Sequence, residues 1–427
     1  MPGELVLQMK ADVPGLRRGA ISGSAASLPR AASEPLDYLR RNAGLSKIVN
    51  LFGDDAPTIP SGGGGSAATL RRGSMAPAPA SAGISGYHLC QLDPAQMTPA
   101  LMKKLQSDPA IAMVERVPAR FISTTGARRA PAADPKIMIQ WGLKAIGWFD
   151  APRPDARAVT VAIIDSGIDA THPDLASVLA DYHHKPFSAK DVLGHGSHVA
   201  GTIAAAINNG IGITGVAGCR IESWKVFPDK PEKDGEFYSG TEAYLKAMRE
   251  VIAGAARGIK VLNLSLTGDQ LSRVESMLLQ RLDQAGITVV ASIGNEFAEG
   301  NPTYYPAAAP SVVAVGAVDE MKHRAVFSQT GKHIALVAPG VAVLSTLPFQ
   351  RSVAREETRY ASWEGTSMAA PHVAAAAALY YAKHASARPA EVKKALMESA
   401  QRVPKMGAKA FTQQYGRGLL NLPALLK

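Results

Sequence analysis

Four short, unbroken apolar runs do most to limit the folds open to this chain: residues 159–164, 261–266, 288–293 and 312–317. A strand wetted on one face alternates apolar and polar residues, so runs without alternation belong to a sheet covered on both faces. Helix-length segments lie between or beside them, at 198–207, 240–254 and 274–285. Strands alternating with helices predict an α/β fold, a mostly parallel sheet with helices on both faces. In such a sheet reactive groups collect at strand C-termini and helix N-termini.

The N-terminal part reads differently. Residues 5–10 and 47–52 are strand-like, with a helix opening at Ser33-Glu34-Pro35 between them. Residues 87–92, 98–106 and 111–117 then repeat strand, helix, strand. That order predicts a small α+β unit of the ferredoxin-like split kind. Residues 53–84, rich in Gly, Ser, Ala and Pro, carry too little apolar surface to order themselves and are expected to be a disordered loop. A second breakable stretch follows at 123–133. The chain of 427 residues therefore divides into 1–122, a linker at 123–133 and 134–427, since one core rarely serves that length.

Composition removes several classes of function. The net charge of +10 is scattered and no nucleic-acid module accompanies it, so no nucleic-acid partner is expected. No apolar run reaches the roughly 18 residues of a membrane span. The nearest, 373–381, reads as a buried core helix. Two cysteines, Cys90 and Cys219, exclude a disulfide framework and any multi-Cys zinc site. The first residues show no basic stretch followed by an apolar one. The expectation is a cytoplasmic protein, or a secreted one if the sequence begins after a removed signal.

Three segments place reactive residues where a strand or helix meets a turn. AIIDSG at 162–167 ends a buried run in Asp165, GHGSHVAGT at 194–202 starts a helix at His195, and GTSMAAP at 365–371 starts an Ala-rich helix at Ser367. A serine hydroxyl is a poor nucleophile until a base takes its proton, and the base needs an acid to orient it. Taken singly, Asp165 reads as a turn residue and Ser367 as a helix cap. His198 and His372, inside the same helices, read as packed core residues. His172, His183 and His184 lie in no motif, and no metal is expected on them.

Together the three segments, in the order Asp, His, Ser, resemble the signatures of the subtilisin-like serine peptidases, over about residues 134–427 and more loosely over 1–122. The resemblance implies a serine endopeptidase acting on protein or peptide substrates. Asp165 would orient the imidazole, His195 move the proton and Ser367 attack the carbonyl. Asn295, in ASIGNE at 291–296, would be the side-chain donor to the oxyanion. An α/β-hydrolase would need a G-x-S-x-G elbow and Ser ahead of Asp and His. Acid-active relatives would carry Glu in place of His195. A non-catalytic relative would have lost part of this machinery.

The same resemblance implies a substrate groove along Ser265, Leu266, Thr267 and Gly268, with Glu296 at the rim of a specificity pocket, Tyr304 near its floor and Asp191 lining the groove. Thr267 stands where the family usually has Gly. It also implies a structural Ca²⁺ held by Asp134, Asp174, Asn209 and the backbone carbonyls of Ile207, Ile211 and Ile213. Residues 101–116 resemble the end of an inhibitory prodomain, so 1–122 would assist folding and block the groove until cut between Phe121 and Asp134.

Overall fold

The computed structural model describes residues 4–9, 23–24, 38–39, 41–51, 87–116, 125–128, 137–351 and 357–427. The expected loop at 53–84, the helix start at Ser33, the segment 117–124 and Asp134 lie outside the described residues. The chain forms two compact units, Met1–Val117 and Pro118–Lys427.

The first unit is an antiparallel sheet of β1 (Glu4–Met9), β2 (Gly23–Ser24), β3 (Lys47–Asn50), β4 (Tyr87–Gln91) and β5 (Ile111–Arg116), in the order β2-β3-β4-β1-β5. Without β2 this is the ferredoxin-like order, reached by strand, helix, strand, strand, helix, strand. β2 adds a two-residue edge that no alternation in the sequence announces. Helix α1 (Pro99–Gln106) starts where Thr98 accepts a hydrogen bond from the Leu101 amide and Pro99 presets φ. It buries Leu101 and Leu105 in a core with Leu5, Leu7, Leu39 and Ile48.

The second unit is built on seven parallel strands. They are β7 (Thr160–Asp165), β8 (Leu179–His183), β9 (Arg220–Lys225), β10 (Ile259–Leu264), β11 (Thr288–Ser292), β12 (Val313–Val318) and β13 (Ile334–Pro339). β6 (Thr125–Arg128), β14 (Val343–Arg351) and β15 (Glu357–Glu364) form a separate antiparallel sheet ordered β14-β15-β6. The apolar runs become strands shifted by one or two residues. Every residue of β7, β11, β12 and β13 is buried, as strands covered on both faces must be.

The large sheet runs β13-β12-β11-β10-β7-β9-β8. From β7 the chain goes first to the edge strand β8, returns to place β9 between β8 and β7, then crosses over to add β10 to β13 on the other side. The switch point between β7 and β10 leaves a crevice at their C-terminal ends, where open α/β sheets place ligands.

Helices cover the sheet: α2 (Trp141–Ala145), α3 (His195–Ala204), α4 (Thr241–Gly254), α5 (Arg273–Gln284), α6 (Thr366–Lys383), α7 (Pro389–Ser399) and α8 (Leu422–Leu425). Helix α6 is buried nearly all round. Its run Ala374–Ala375–Ala376–Ala377–Ala378 is small enough to lie flat on the strands. Among the described residues no helix is long and apolar enough to cross a membrane.

Candidate active site

Asp165 closes β7, His195 opens α3 and Ser367 is the second residue of α6; all three are buried, at 0%, 1% and 2% exposure. His195 Nδ1 donates to Asp165 Oδ1 at 2.7 Å, and the Ser166 amide donates to the same oxygen at 2.7 Å. The imidazole is thereby fixed, with Nε2 turned away from the carboxylate.

A close approach makes this possible. A Cβ on Gly196 would lie 2.0 Å from the Gly167 carbonyl oxygen, so only glycine lets the first turn of α3 press against the turn after β7. The Gly196 amide then donates to Ser166 Oγ at 2.9 Å.

Ser367 is held by a consequence of Pro371, which has no N–H to give the carbonyl four residues back. That carbonyl belongs to Ser367, and Ser265 Oγ donates to it at 2.9 Å. Ser367 Oγ in turn donates to the Ser265 carbonyl at 3.3 Å. α3 and α6 pack against each other, yet His195 Nε2 has no hydrogen-bond partner among the described residues. The structure therefore joins Asp165 to His195, while Ser367 Oγ bonds the Ser265 carbonyl instead of the imidazole. Catalytic hydrogen bonds commonly tighten only with substrate bound.

Asn295 follows β11 and is buried. Its Oδ1 accepts from both the amide and the hydroxyl of Thr366, each at 2.9 Å, so its amide NH₂ end faces away from Thr366. Thr366 Oγ1 also accepts from the Gly294 amide at 3.1 Å. Gly294 has φ 107°, and a Cβ there would meet Gln329 Oε1 at 1.9 Å, so the loop requires glycine twice over.

The residues of the expected groove differ in burial. Ser265, Leu266 and Thr267 are buried beyond the end of β10, and Gly268 pairs with Tyr305, exchanging hydrogen bonds of 2.9 and 2.8 Å. Glu296 and Tyr304 are half-buried. Burial first, then the nearby Glu296 charge, pushes the Tyr304 hydroxyl above its usual pKa.

Asp191 lies among donors around the start of α3. It is 5% exposed and accepts from Ser166 Oγ (2.8 Å), the Gly194 amide (2.9 Å), the Ser197 amide (2.8 Å) and Ser197 Oγ (2.7 Å). An Asp four residues before a helical histidine is within reach of the helix's free N–H groups, a capping signal the sequence did carry. Burial pushes its carboxyl above the usual range, against the pull of the Ser197 and Ser166 hydrogen bonds.

His198 and His372 are packed residues. Nε2 of His198 lies 3.0 Å from the Val343 carbonyl and its ring stacks on Trp363 at 5.0 Å, while burial lowers its pKa to about 3. His372 Nδ1 bonds the Met368 carbonyl at 2.9 Å, and burial lowers its pKa to about 4. Asp181, His183 and Glu222 form a cluster the sequence did not suggest. Glu222 is already paired with Arg257 at 2.6 Å and with His183 at 3.0 Å, so a cation would have to displace a guanidinium.

The donor set around Asp174 suits a hard cation. Asp174 Oδ1 lies 2.7 Å from the Asn209 side-chain amide, and its other oxygen accepts from Tyr360 OH at 2.9 Å and the Ile213 amide at 3.0 Å. Among the described residues the carbonyls of Ile207, Ile211 and Ile213 accept no hydrogen bond. A carboxylate and unused carbonyls are oxygen ligands Ca²⁺ takes, while Asn209 Oδ1 accepts from the Ile211 amide at 2.8 Å and would have to exchange that bond for the ion.

A family model described as the subtilase family matches residues 156–418. Subtilisin of Bacillus pumilus is 37% identical over 273 residues, covering 62% of this chain and 90% of the relative. Subtilisin E of Bacillus subtilis (strain 168) is 34% identical over 335 residues, covering 76% and 77%. The crystal structure of fervidolysin from Fervidobacterium pennivorans, a keratinolytic enzyme related to subtilisin, superposes with a TM-score of 0.65 at 27% identity. That likeness covers 80% of this chain and 56% of fervidolysin, so this chain spans little more than half of that protein.

Proposed function

The chain belongs to the subtilase family and is a serine endopeptidase, and from that premise we propose that Asp165, His195 and Ser367 are its catalytic triad and that it is made as a zymogen that processes itself. The observation that carries the reading is the buried 2.7 Å contact between Asp165 and His195. With Nδ1 committed to Asp165, Nε2 is the nitrogen left to take the Ser367 proton as Oγ attacks the scissile carbonyl. The same nitrogen returns the proton to the leaving amine, and water repeats the sequence to release the acyl group.

The oxyanion falls between the Asn295 amide, whose oxygen Thr366 holds at 2.9 Å, and the Ser367 N–H. N–H groups in the first turn of a helix have no partner within it, so they are available to an anion. Substrate lies along 265–268, with Glu296 and Tyr304 bordering the pocket for the residue before the scissile bond. Thr267 and Tyr304 reduce that pocket's volume, which favours small or medium side chains over Phe and Tyr. A peptide library in which aromatic residues dominate that position would contradict this.

Residues 1–122 act as folding assistant and inhibitor. Support comes from the chain's division into two compact units, the first ending at Val117. A Ca²⁺ held by Asp174, Asn209 and the carbonyls of Ile207, Ile211 and Ile213, with Asp134 as a further ligand, would fix the loop after α3 and do no chemistry.

The test is labelling by a fluorophosphonate together with Ser367→Ala. Covalent label on Ser367, and an uncleaved, folded chain in the variant, are expected. A Ser367→Ala chain that still loses its N-terminal segment when pure rules out self-processing.

A further inference from the structure

Gln329 is 1% exposed, yet among the described residues neither end of its side-chain amide has a hydrogen-bond partner. A buried amide that gives up water and gains no partner destabilises the fold, so a folded chain seldom keeps one. The position is not slack. The Gln329 N–H donates to the Gly294 carbonyl at 3.2 Å. On either side, the Phe297 amide donates to the Phe327 carbonyl at 3.1 Å and the Thr330 amide to Asn301 Oδ1 at 2.7 Å. The backbone is fixed, and the side chain keeps its donor and its acceptor unused.

The neighbours of that amide are residues of the specificity pocket. Gln329 Oε1 occupies the space a Gly294 Cβ would take, and Tyr304 Cδ2 lies 2.7 Å from the same point. Gly294 precedes Asn295, and Tyr304 precedes Tyr305, which pairs with Gly268. Thr267, one residue before that pairing, is also 1% exposed, and its hydroxyl is likewise without a partner among the described residues. An amide and a hydroxyl with unused hydrogen bonds therefore sit on segments that border one pocket.

We propose that Gln329 determines specificity for the residue before the scissile bond, and that the pocket takes an uncharged side chain that both donates and accepts, Asn or Gln, ahead of apolar residues of equal size. Two carboxamides meet through one N–H···O bond in each direction, so the substrate supplies both bonds that Gln329 lacks. Leu or Met in the same space leaves the amide unpaired. To reach it, the substrate side chain displaces the half-buried Tyr304 ring. A cation is served less well. Glu296 already accepts from the Asn295 amide at 2.7 Å, and the other carboxylates near Tyr304, Asp269 and Glu299, are exposed, where solvent weakens their pull.

The inference rests on the pocket assignment above, and the experiment separates the two. Wild-type, Gln329→Leu and Gln329→Met enzymes, each expressed as the full chain, are given peptides that differ only in the residue before the scissile bond: Asn, Leu, Gln, Met, Lys or Phe. Mass spectrometry of the fragments fixes the bond cut, and kcat/KM ranks the peptides. Wild type should favour Asn over Leu and Gln over Met by about 10- to 100-fold, the usual cost of leaving a buried polar group unpaired. Both variants remove the amide at similar volume and should bring these ratios to one or below, so either one that folds suffices. A merely structural Gln329 would move the melting temperature and leave the ratios at their wild-type values, which overturns the proposal. Leu above Asn, or Lys above Asn, in wild type overturns it too. Phe ahead of every other residue would instead refute the narrow pocket, while Asn against Leu would still decide the role of Gln329.

Discussion

Ser166 and Asp191, 25 residues apart, share a hydrogen bond of 2.8 Å from Oγ to Oδ1. Asp191 also accepts from two amides and a hydroxyl around the start of α3. One buried carboxylate therefore ties the strand end that carries Asp165 to the helix start that carries His195. It touches neither substrate nor the reacting atoms, so its effect on catalysis is one of position.

Asp191→Asn should reduce kcat by about 10- to 100-fold, the cost of an ångström-scale misplacement of reacting groups, with little change in KM. Steady-state kinetics with a short peptide substrate would check this. A purely structural role would lower the melting temperature and leave kcat per folded molecule unchanged.

Asn295→Ala removes the amide that Thr366 orients. The expected loss is about 100- to 1000-fold in kcat with KM nearly constant, a magnitude set by such a donor in subtilisin itself. Thr366→Val keeps Asn295 but takes away a hydroxyl that bonds its Oδ1 at 2.9 Å, and should fall between the two. Equal kcat in wild type and Asn295→Ala would remove Asn295 from the site.

Calcium should raise stability by binding the folded state alone. At a hundredfold excess over Kd the gain is about 2.7 kcal/mol, or roughly 4 °C in Tm for a unit of this size. Melting in EGTA and in millimolar Ca²⁺ measures it, and Asp174→Asn should abolish the difference. Identical melting curves in both buffers would dismiss the site.

Acid should destabilise the second unit from about pH 6.5 downward, the ordinary histidine range. His198 and His372 are held neutral by burial, with pKa values lowered to about 3 and about 4. Between those values and the unfolded value the unfolded chain binds the extra protons, so stability falls as pH falls. Each group contributes about 1.4 kcal/mol per pH unit across its window. Urea melts at pH 7, 6, 5 and 4 would show the slope. His372→Gln should remove close to one proton from it, and an unaltered slope would mean that His372 is not held neutral.

Local signals made much of this molecule legible. A strand ending in Asp165, a glycine-flanked histidine opening a helix and a serine opening an Ala-rich one are short-range patterns, fixed by strand and helix periods and by glycine's tolerance of close approach. Unbroken apolar runs gave the two-sided sheet for the same reason. Contacts between distant segments have no period to read. Ser265 Oγ reaches the carbonyl freed by Pro371 across 102 residues of sequence, and Thr366 sets the Asn295 amide across 71. The residues of the expected groove likewise take their partners from packing. Once the chain packs, Ser265 to Thr267 are buried, Gly268 pairs with Tyr305 and Asp191 becomes an internal clamp. Local patterns and the family resemblance singled out the candidate reactive residues, and apolar spacing the kind of sheet that carries them. Only the tertiary structure decided which hydrogen-bond partner each buried polar group finds, because that depends on which segments packing brings together.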